Sequence, residues 1–184
     1  MKHIIKPALA LFTIAAVAST LLVLVQDLTS EPIENQRRRT QENGMRAVLP
    51  EALSFNLISN EVSGNIDSIY EGMGMSGLAG YVADLSIIGY AGEINILVGI
   101  STTENKISGM RVLRHNETPG LGALIARESF FRLFDNRELV PLRVVTSSPA
   151  ENDIQALSGA TISTRAITNA VNEAIEWFNI NIKE

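Results

Sequence analysis

From Pro7 to Val25 the chain reads PALALFTIAAVASTLLVLV, with no charged residue. That stretch limits what the chain can become more than any other feature. At ~1.5 Å of rise per residue, a helix over it covers close to the ~30 Å hydrocarbon core of a bilayer. Pro7 suits the first helical turn, where its missing N–H costs nothing. The same residues can be read as a cleaved signal peptide, because Lys2 and Lys6 form a basic start and Ala16-Val17-Ala18 resembles a cleavage site. Cleavage there would leave Thr20 to Val25 as an exposed apolar end, so residues 1–26 are read as a transmembrane anchor in the lipid bilayer. Flanking charge leaves orientation open. Lys2 and Lys6 precede the helix and Asp27, Glu31 and Glu34 follow it, but Arg37, Arg38 and Arg39 still lie within reach of the positive-inside rule.

Beyond the anchor, Ser30 and Pro32 predict a fresh helix start. Ile33 to Val48 is a polar, Arg/Glu/Gln-rich helical stretch, so residues 27–50 are a juxtamembrane helical segment. The Arg run in it is read as a solvated face. After Pro50 the pattern changes. Ile66–Tyr70 and Leu78–Leu85 alternate as strands do, and Gly89-Tyr90-Ala91-Gly92 is a turn cluster. Ile94–Ile100 is an apolar run suited to a central strand, paired as a hairpin with Ile107–Leu113. Leu124–Phe134 is predicted helical and Leu142–Val145 a short strand. In the last helix Ala166, Ile167, Ala170, Val171, Ala174, Ile175 and Phe178 form one apolar stripe. Residues 51–184 are therefore one α+β domain, an antiparallel sheet with helices packed on one side.

Composition removes several chemistries. With 20 acidic against 15 basic residues, the formal net charge of -5 argues against a nucleic-acid partner. The absence of cysteine excludes disulfides, thiolate metal sites and iron–sulfur ligation, and His3 and His115 are too few for a histidine-rich metal site. Redox chemistry on this chain requires an organic cofactor. Gly72 to Gly77 spells G-x-G-x-x-G, but the residues from Leu78 onward alternate like a strand, and a dinucleotide fingerprint needs a helix there to receive the pyrophosphate. It is read as a glycine-rich loop.

Two segments remain as carriers of chemistry. Ser158-Gly159-Ala160-Thr161-Ile162-Ser163 sits directly before the last helix. Small residues there let a ligand approach the backbone, and free N–H groups with the helix dipole favour an anion such as phosphate. Plain capping by Thr161 or Ser163 accounts for the same residues. The second segment is His115-Asn116-Glu117-Thr118-Pro119-Gly120-Leu121-Gly122, in which Pro119-Gly120 fits the centre of a type II turn. An ordinary strand-to-helix loop with a surface histidine fits it equally.

HNETPGLG followed by SGATIS and TRAITNAVNEA resembles the FMN-binding domain family. With the N-terminal anchor, Leu28 to Ile33 and GYAGEINILVGI, the chain looks like the G subunits of Rnf ion-translocating electron transport complexes; the C subunits of the sodium-translocating NADH:quinone reductase are the nearest alternative. The resemblance implies FMN attached covalently to Thr161 by a flavin transferase, with Ser158, Gly159 and Ala160 around the attachment. It also implies that Glu117, Thr118, Leu121 and Gly122 border the ring and tune its redox state. The partners it implies are integral-membrane and iron–sulfur subunits of a complex coupling ferredoxin/NAD electron exchange to ion transport. The location it implies is the bacterial inner membrane, with the soluble domain facing the periplasm. The family's attachment motif has an acid three positions before its Ser; here that position holds Gln155, and the nearest acid is Asp153. On that substitution rests a third reading, a membrane-tethered assembly domain without cofactor.

Overall fold

A computed structural model describes residues 2–182. The first helix, α1, runs Lys2–Val48 without a break. It is long and apolar enough to cross a membrane by length and composition. The helix start expected at Ser30 is absent. Instead of capping, the Thr29 hydroxyl donates to the Val25 carbonyl (2.7 Å) and the Ser30 hydroxyl to the Asp27 carbonyl (3.1 Å). These back-bonds turn both hydroxyls onto the preceding turn, and the helix continues through Pro32. The chain divides into two compact units, Met1–Thr40 and Gln41–Glu184.

In the second unit, five antiparallel strands form a meander in the order of the chain: β1 (Ser54–Ser63), β2 (Ile66–Gly74), β3 (Gly77–Ile88), β4 (Glu93–Ser101) and β5 (Lys106–His115). The expected β4–β5 hairpin is present, paired from Ile94 opposite His115 to Ser101 opposite Lys106 with register shifts at Asn95/Ile96 and Gly99/Ile100. The G-x-G-x-x-G stretch is not the expected loop: Gly72–Gly74 end β2, Gly77 opens β3 at φ +116°, and only Met75 and Ser76 turn between them, though a strand succeeds it as expected. β4 reads as a continuous apolar run because both of its faces are covered. Ile94, Ile96, Val98 and Ile100 enter one core, and Leu97 enters the other.

The larger core lies under α3 (Thr161–Asn181), whose Ile167, Ala170, Val171, Ala174, Ile175 and Phe178 are all buried. Here the helical period of the sequence translates directly into packing. The stretch Leu124–Phe134 differs from its predicted single helix. It forms a 3-10 turn (Gly122–Ala126) and one turn of helix, α2 (Glu128–Phe131), separated by extended Arg127 at φ -87°, ψ 146°. Ile125 and Phe130 would sit about 140° apart on one continuous helix. The extended residue resets the phase, and both reach the same core. A parallel pair, β6 (Arg143–Val145) and β7 (Asp153–Gln155), closes the strand set; the sequence pattern signals β6 but not β7.

The sheet is covered on both sides rather than one. Met45, Val48, Leu49 and Ala52 pack against Ala79, Val82 and Leu97 on the second face. Gly99 makes that approach possible, because a Cβ there would lie 2.2 Å from the Val48 carbonyl oxygen. Gln41 donates to Asp84 Oδ2 (2.7 Å) and to the Tyr70 hydroxyl (3.1 Å), and Asn95 donates to Asp84 Oδ1 (2.8 Å). Burial nevertheless raises the Asp84 carboxyl above its ordinary range, with the Asn95 and Gln41 donors opposing the shift.

Candidate functional site

Three segments far apart in the chain meet at one end of the sheet: the β3–β4 turn, the loop after β5, and the N-terminus of α3. Between them lies a cavity of about 380 Å³, within the ~300–1,000 Å³ range of small-molecule and cofactor sites.

The loop after β5 takes its shape from Gly120, at φ +79°, with the Leu121 N–H donating to the Thr118 carbonyl (3.2 Å) as a type II turn requires. His115 is half-buried, and its Nδ1 accepts from the Glu117 N–H (3.2 Å), so it organises the loop. No group of side chains suited to a metal ion occurs among the described residues.

Glu117 is 5% exposed, and its carboxylate ties the three segments together. Oε1 accepts from the Tyr90 N–H (2.7 Å) and the Ala91 N–H (3.2 Å), and Oε2 accepts from the Ser163 hydroxyl (3.0 Å). Room for it comes from missing side chains. A Cβ at Gly89 would lie 2.1 Å from Oε1, and one at Gly122 would lie 2.3 Å from Oε2.

On the opposite wall, α3 begins at Thr161 with Ala160 as its N-cap and no side-chain cap. The capping alternative for Thr161 and Ser163 therefore fails, as Ser163 is committed to Glu117. The first internal acceptor is used by the Thr164 N–H, bonded to the Ala160 carbonyl at 2.9 Å. The amides of Thr161, Ile162 and Ser163 precede it and carry the positive end of the helix dipole. Gly159, at φ +76°, turns the chain into the helix, and the Leu121 side chain lies 2.9 Å from where its Cβ would be.

Glu117, Thr118, Leu121, Gly122, Gly159, Ala160 and Thr161, singled out from sequence, all line this cavity. Ser158 is exposed and lies off its wall. Tyr90, Ile162 and Ser163 line it too. Tyr90 has a signal in the GYAG cluster, but only as a turn, while Ile162 and Ser163 belong to the SGATIS segment, which the sequence leaves open between an anion pocket and a plain cap. Gln155 ends β7, exposed and away from the cavity wall, while Asp153 is buried, taking the Ala150 N–H (3.0 Å) and facing Arg143 (3.2 Å).

The model of the FMN-binding domain matches residues 89–176, which contain all three segments, and that of the RnfG N-terminal region matches residues 1–48. The G subunit of an ion-translocating oxidoreductase complex in Methanosarcina acetivorans is 34% identical, over 96% of this chain and 95% of its own. The chain belongs to this family of G subunits. A second member, the G subunit of the Na(+)-translocating ferredoxin:NAD(+) oxidoreductase complex of Acetobacterium woodii, is 32% identical over 96% of this chain and 92% of its own. Among solved structures, the C subunit of the Na(+)-translocating NADH-quinone reductase from Parabacteroides distasonis superposes with a TM-score of 0.59 at 17% identity. It covers 78% of this chain and 92% of that one. NqrC of Shewanella oneidensis gives 0.53 at 21%, over 70% and 67%. Those two likenesses establish a shared fold, whereas the G subunits match in sequence along nearly the whole chain.

Proposed function

We propose that this protein carries FMN as a phosphoester on Thr161 and relays electrons between neighbouring subunits of a membrane-bound ion-translocating oxidoreductase complex. The observation that carries this reading is the convergence, in one cavity, of Thr161 and the uncapped start of a 21-residue helix. The residues present fit the group. Backbone amides at 161–163 suit a phosphate, Ala160 and Gly159 leave room beside it, and Leu121, Tyr90 and Ile162 provide apolar surface for a flat ring.

Attachment needs a flavin transferase acting on FAD. The Thr161 oxygen forms a bond to the FMN phosphorus, the diphosphate bond of FAD breaks, AMP leaves, and the hydroxyl proton goes to solvent. When bound, FMN supplies reversible acceptance of electrons. The chain's part is to hold the phosphate against the helix start, orient the ring with Glu117, Thr118, Leu121 and Gly122, and set the local charge. No general acid or base is required of a carrier.

Residues 1–26 are assigned as the membrane anchor in the lipid bilayer, 27–50 as the juxtamembrane helical segment and 51–184 as the FMN-binding domain. The domain is placed on the periplasmic side of the bacterial inner membrane. Relatives named as ferredoxin:NAD(+) oxidoreductase subunits, one Na(+)-translocating and one proton-translocating, support the coupling of ferredoxin/NAD electron exchange to ion transport. Integral-membrane and iron–sulfur subunits are the partners on this reading. The alternative, a C subunit of the NADH:quinone reductase, ranks lower, because those proteins match here at 17–21% identity. Exposed Gln155 in place of an acid favours a different second reading, an assembly domain without cofactor.

Thr161→Ala in the full-length protein, co-expressed with the transferase and partner subunits, separates the two. A carrier loses flavin fluorescence on a denaturing gel and loses electron transfer while the complex still assembles. Unchanged electron transfer in the variant refutes the carrier reading.

A further inference from the structure

We propose that Glu117 sets the potential of the flavin through its charge, holding the cavity negative and making the cofactor harder to reduce. This rests on reading the cavity as the flavin site. A glutamate that served only as a mechanical tie would need no charge, and burying one is costly unless donors replace water. Here the site is built around the anion. Two backbone N–H groups, which can only donate, face Oε1, and the Ser163 hydroxyl faces Oε2. Gly89 and Gly122 vacate the space that the two oxygens occupy. All three donors are neutral, and Glu117 belongs to no ion pair among the described residues. The charge is thus solvated by dipoles and left formally uncompensated on the cavity wall.

Glu117 lines the cavity wall, and a separation of roughly 9 Å from a charge held inside is taken as the scale. At an effective dielectric near 20, a unit charge at that range shifts a one-electron equilibrium by on the order of tenfold. Each electron that arrives without a proton adds negative charge to the ring, so the carboxylate disfavours reduction.

Glu117→Gln isolates charge from shape. The amide oxygen can keep both N–H bonds, and the amide nitrogen can donate to Ser163 Oγ with that hydroxyl reversed. The full-length wild type and variant, matured with the transferase, are compared by redox titration of the attached flavin. At the wild-type midpoint, the reduced-to-oxidised ratio is expected to be about tenfold higher in the variant, which for one electron is about 59 mV. An unchanged midpoint overturns the proposal. If either protein is isolated without attached flavin, free FMN is titrated into the full-length chain in its oxidised and reduced forms. Glu117→Gln is then expected to improve binding of reduced over oxidised FMN by the same factor. An equal preference in the two proteins, or no binding of either form by either, overturns the proposal. A wild type that binds free FMN but gains no mass in the presence of the transferase counts against attachment at Thr161 and not against the charge of Glu117.

Discussion

Gly122→Ala tests the construction of the site at the point where a missing side chain makes room for Glu117. Gly122 is not among the positive-φ residues and opens a 3-10 turn. On backbone grounds alone, alanine there would be neutral or stabilising by ~0.4–1 kcal/mol. The obstacle is Glu117: the new methyl would lie 2.3 Å from its Oε2, 2.8 Å from its Cβ and 3.1 Å from its Cδ. The carboxylate cannot swing aside cheaply, because leaving releases the Tyr90, Ala91 and Ser163 donors together. Hydrogen bonds to charged groups contribute ~1.5–3 kcal/mol each, and partial relaxation keeps one or two of them, so a net loss of about 2–4 kcal/mol is expected. In a Glu117→Gly background all three of these atoms are gone, and the same substitution is expected to cost far less. A double-mutant cycle on the full-length protein in detergent measures the coupling by urea unfolding, followed through its single tryptophan, Trp177, which stacks edge-on against Tyr81. Equal costs of Gly122→Ala in the two backgrounds would refute the Glu117–Gly122 geometry.

Two further outcomes concern the second face of the sheet. Gly99→Ala drives a methyl into the Val48 carbonyl at 2.2 Å and is expected to cost about 3 kcal/mol, at the upper end of overpacking, whereas Gly109→Ala, 3.3 Å from Val48 Cα, is milder; similar urea midpoints for the two would contradict that docking. Asp84 titrates above its ordinary range because it is buried. Its native state therefore holds the proton more tightly than the unfolded chain. Its contribution to stability is complete below the ordinary carboxylate range and is lost as pH rises through the raised value. Unfolding midpoints of wild type and Asp84→Asn, taken between about pH 4 and pH 8, should show wild type gaining on the variant as pH falls; the opposite trend would count against this burial.

Local pattern made much of this legible. The apolar stripe from Ala166 to Phe178 and the alternation through β3 each encode one face of one element, so the sequence predicts them without knowledge of the rest. Pro119-Gly120 is legible for the same reason, since a positive φ is a property of one residue. The break at Arg127 depends on where Ile125 and Phe130 must meet a core built by other elements. The cover from residues 45–52 depends on small residues at 72 and 99, spaced to no period. In the site, the chemistry-bearing segments were visible as motifs, but the Glu117–Ser163 and Glu117–Tyr90 links join residues 46 and 27 apart. Such links are set by topology, so the sequence shows Tyr90 only as a turn residue and does not show Glu117 as the partner of Ser163.

The most direct test is the intact mass of the full-length protein extracted from membranes of cells that also make the flavin transferase, followed by mapping of the added mass. A gain of one FMN, less water, is expected on the peptide that contains Thr161. A bare polypeptide mass under those conditions, from a colourless preparation, would contradict it.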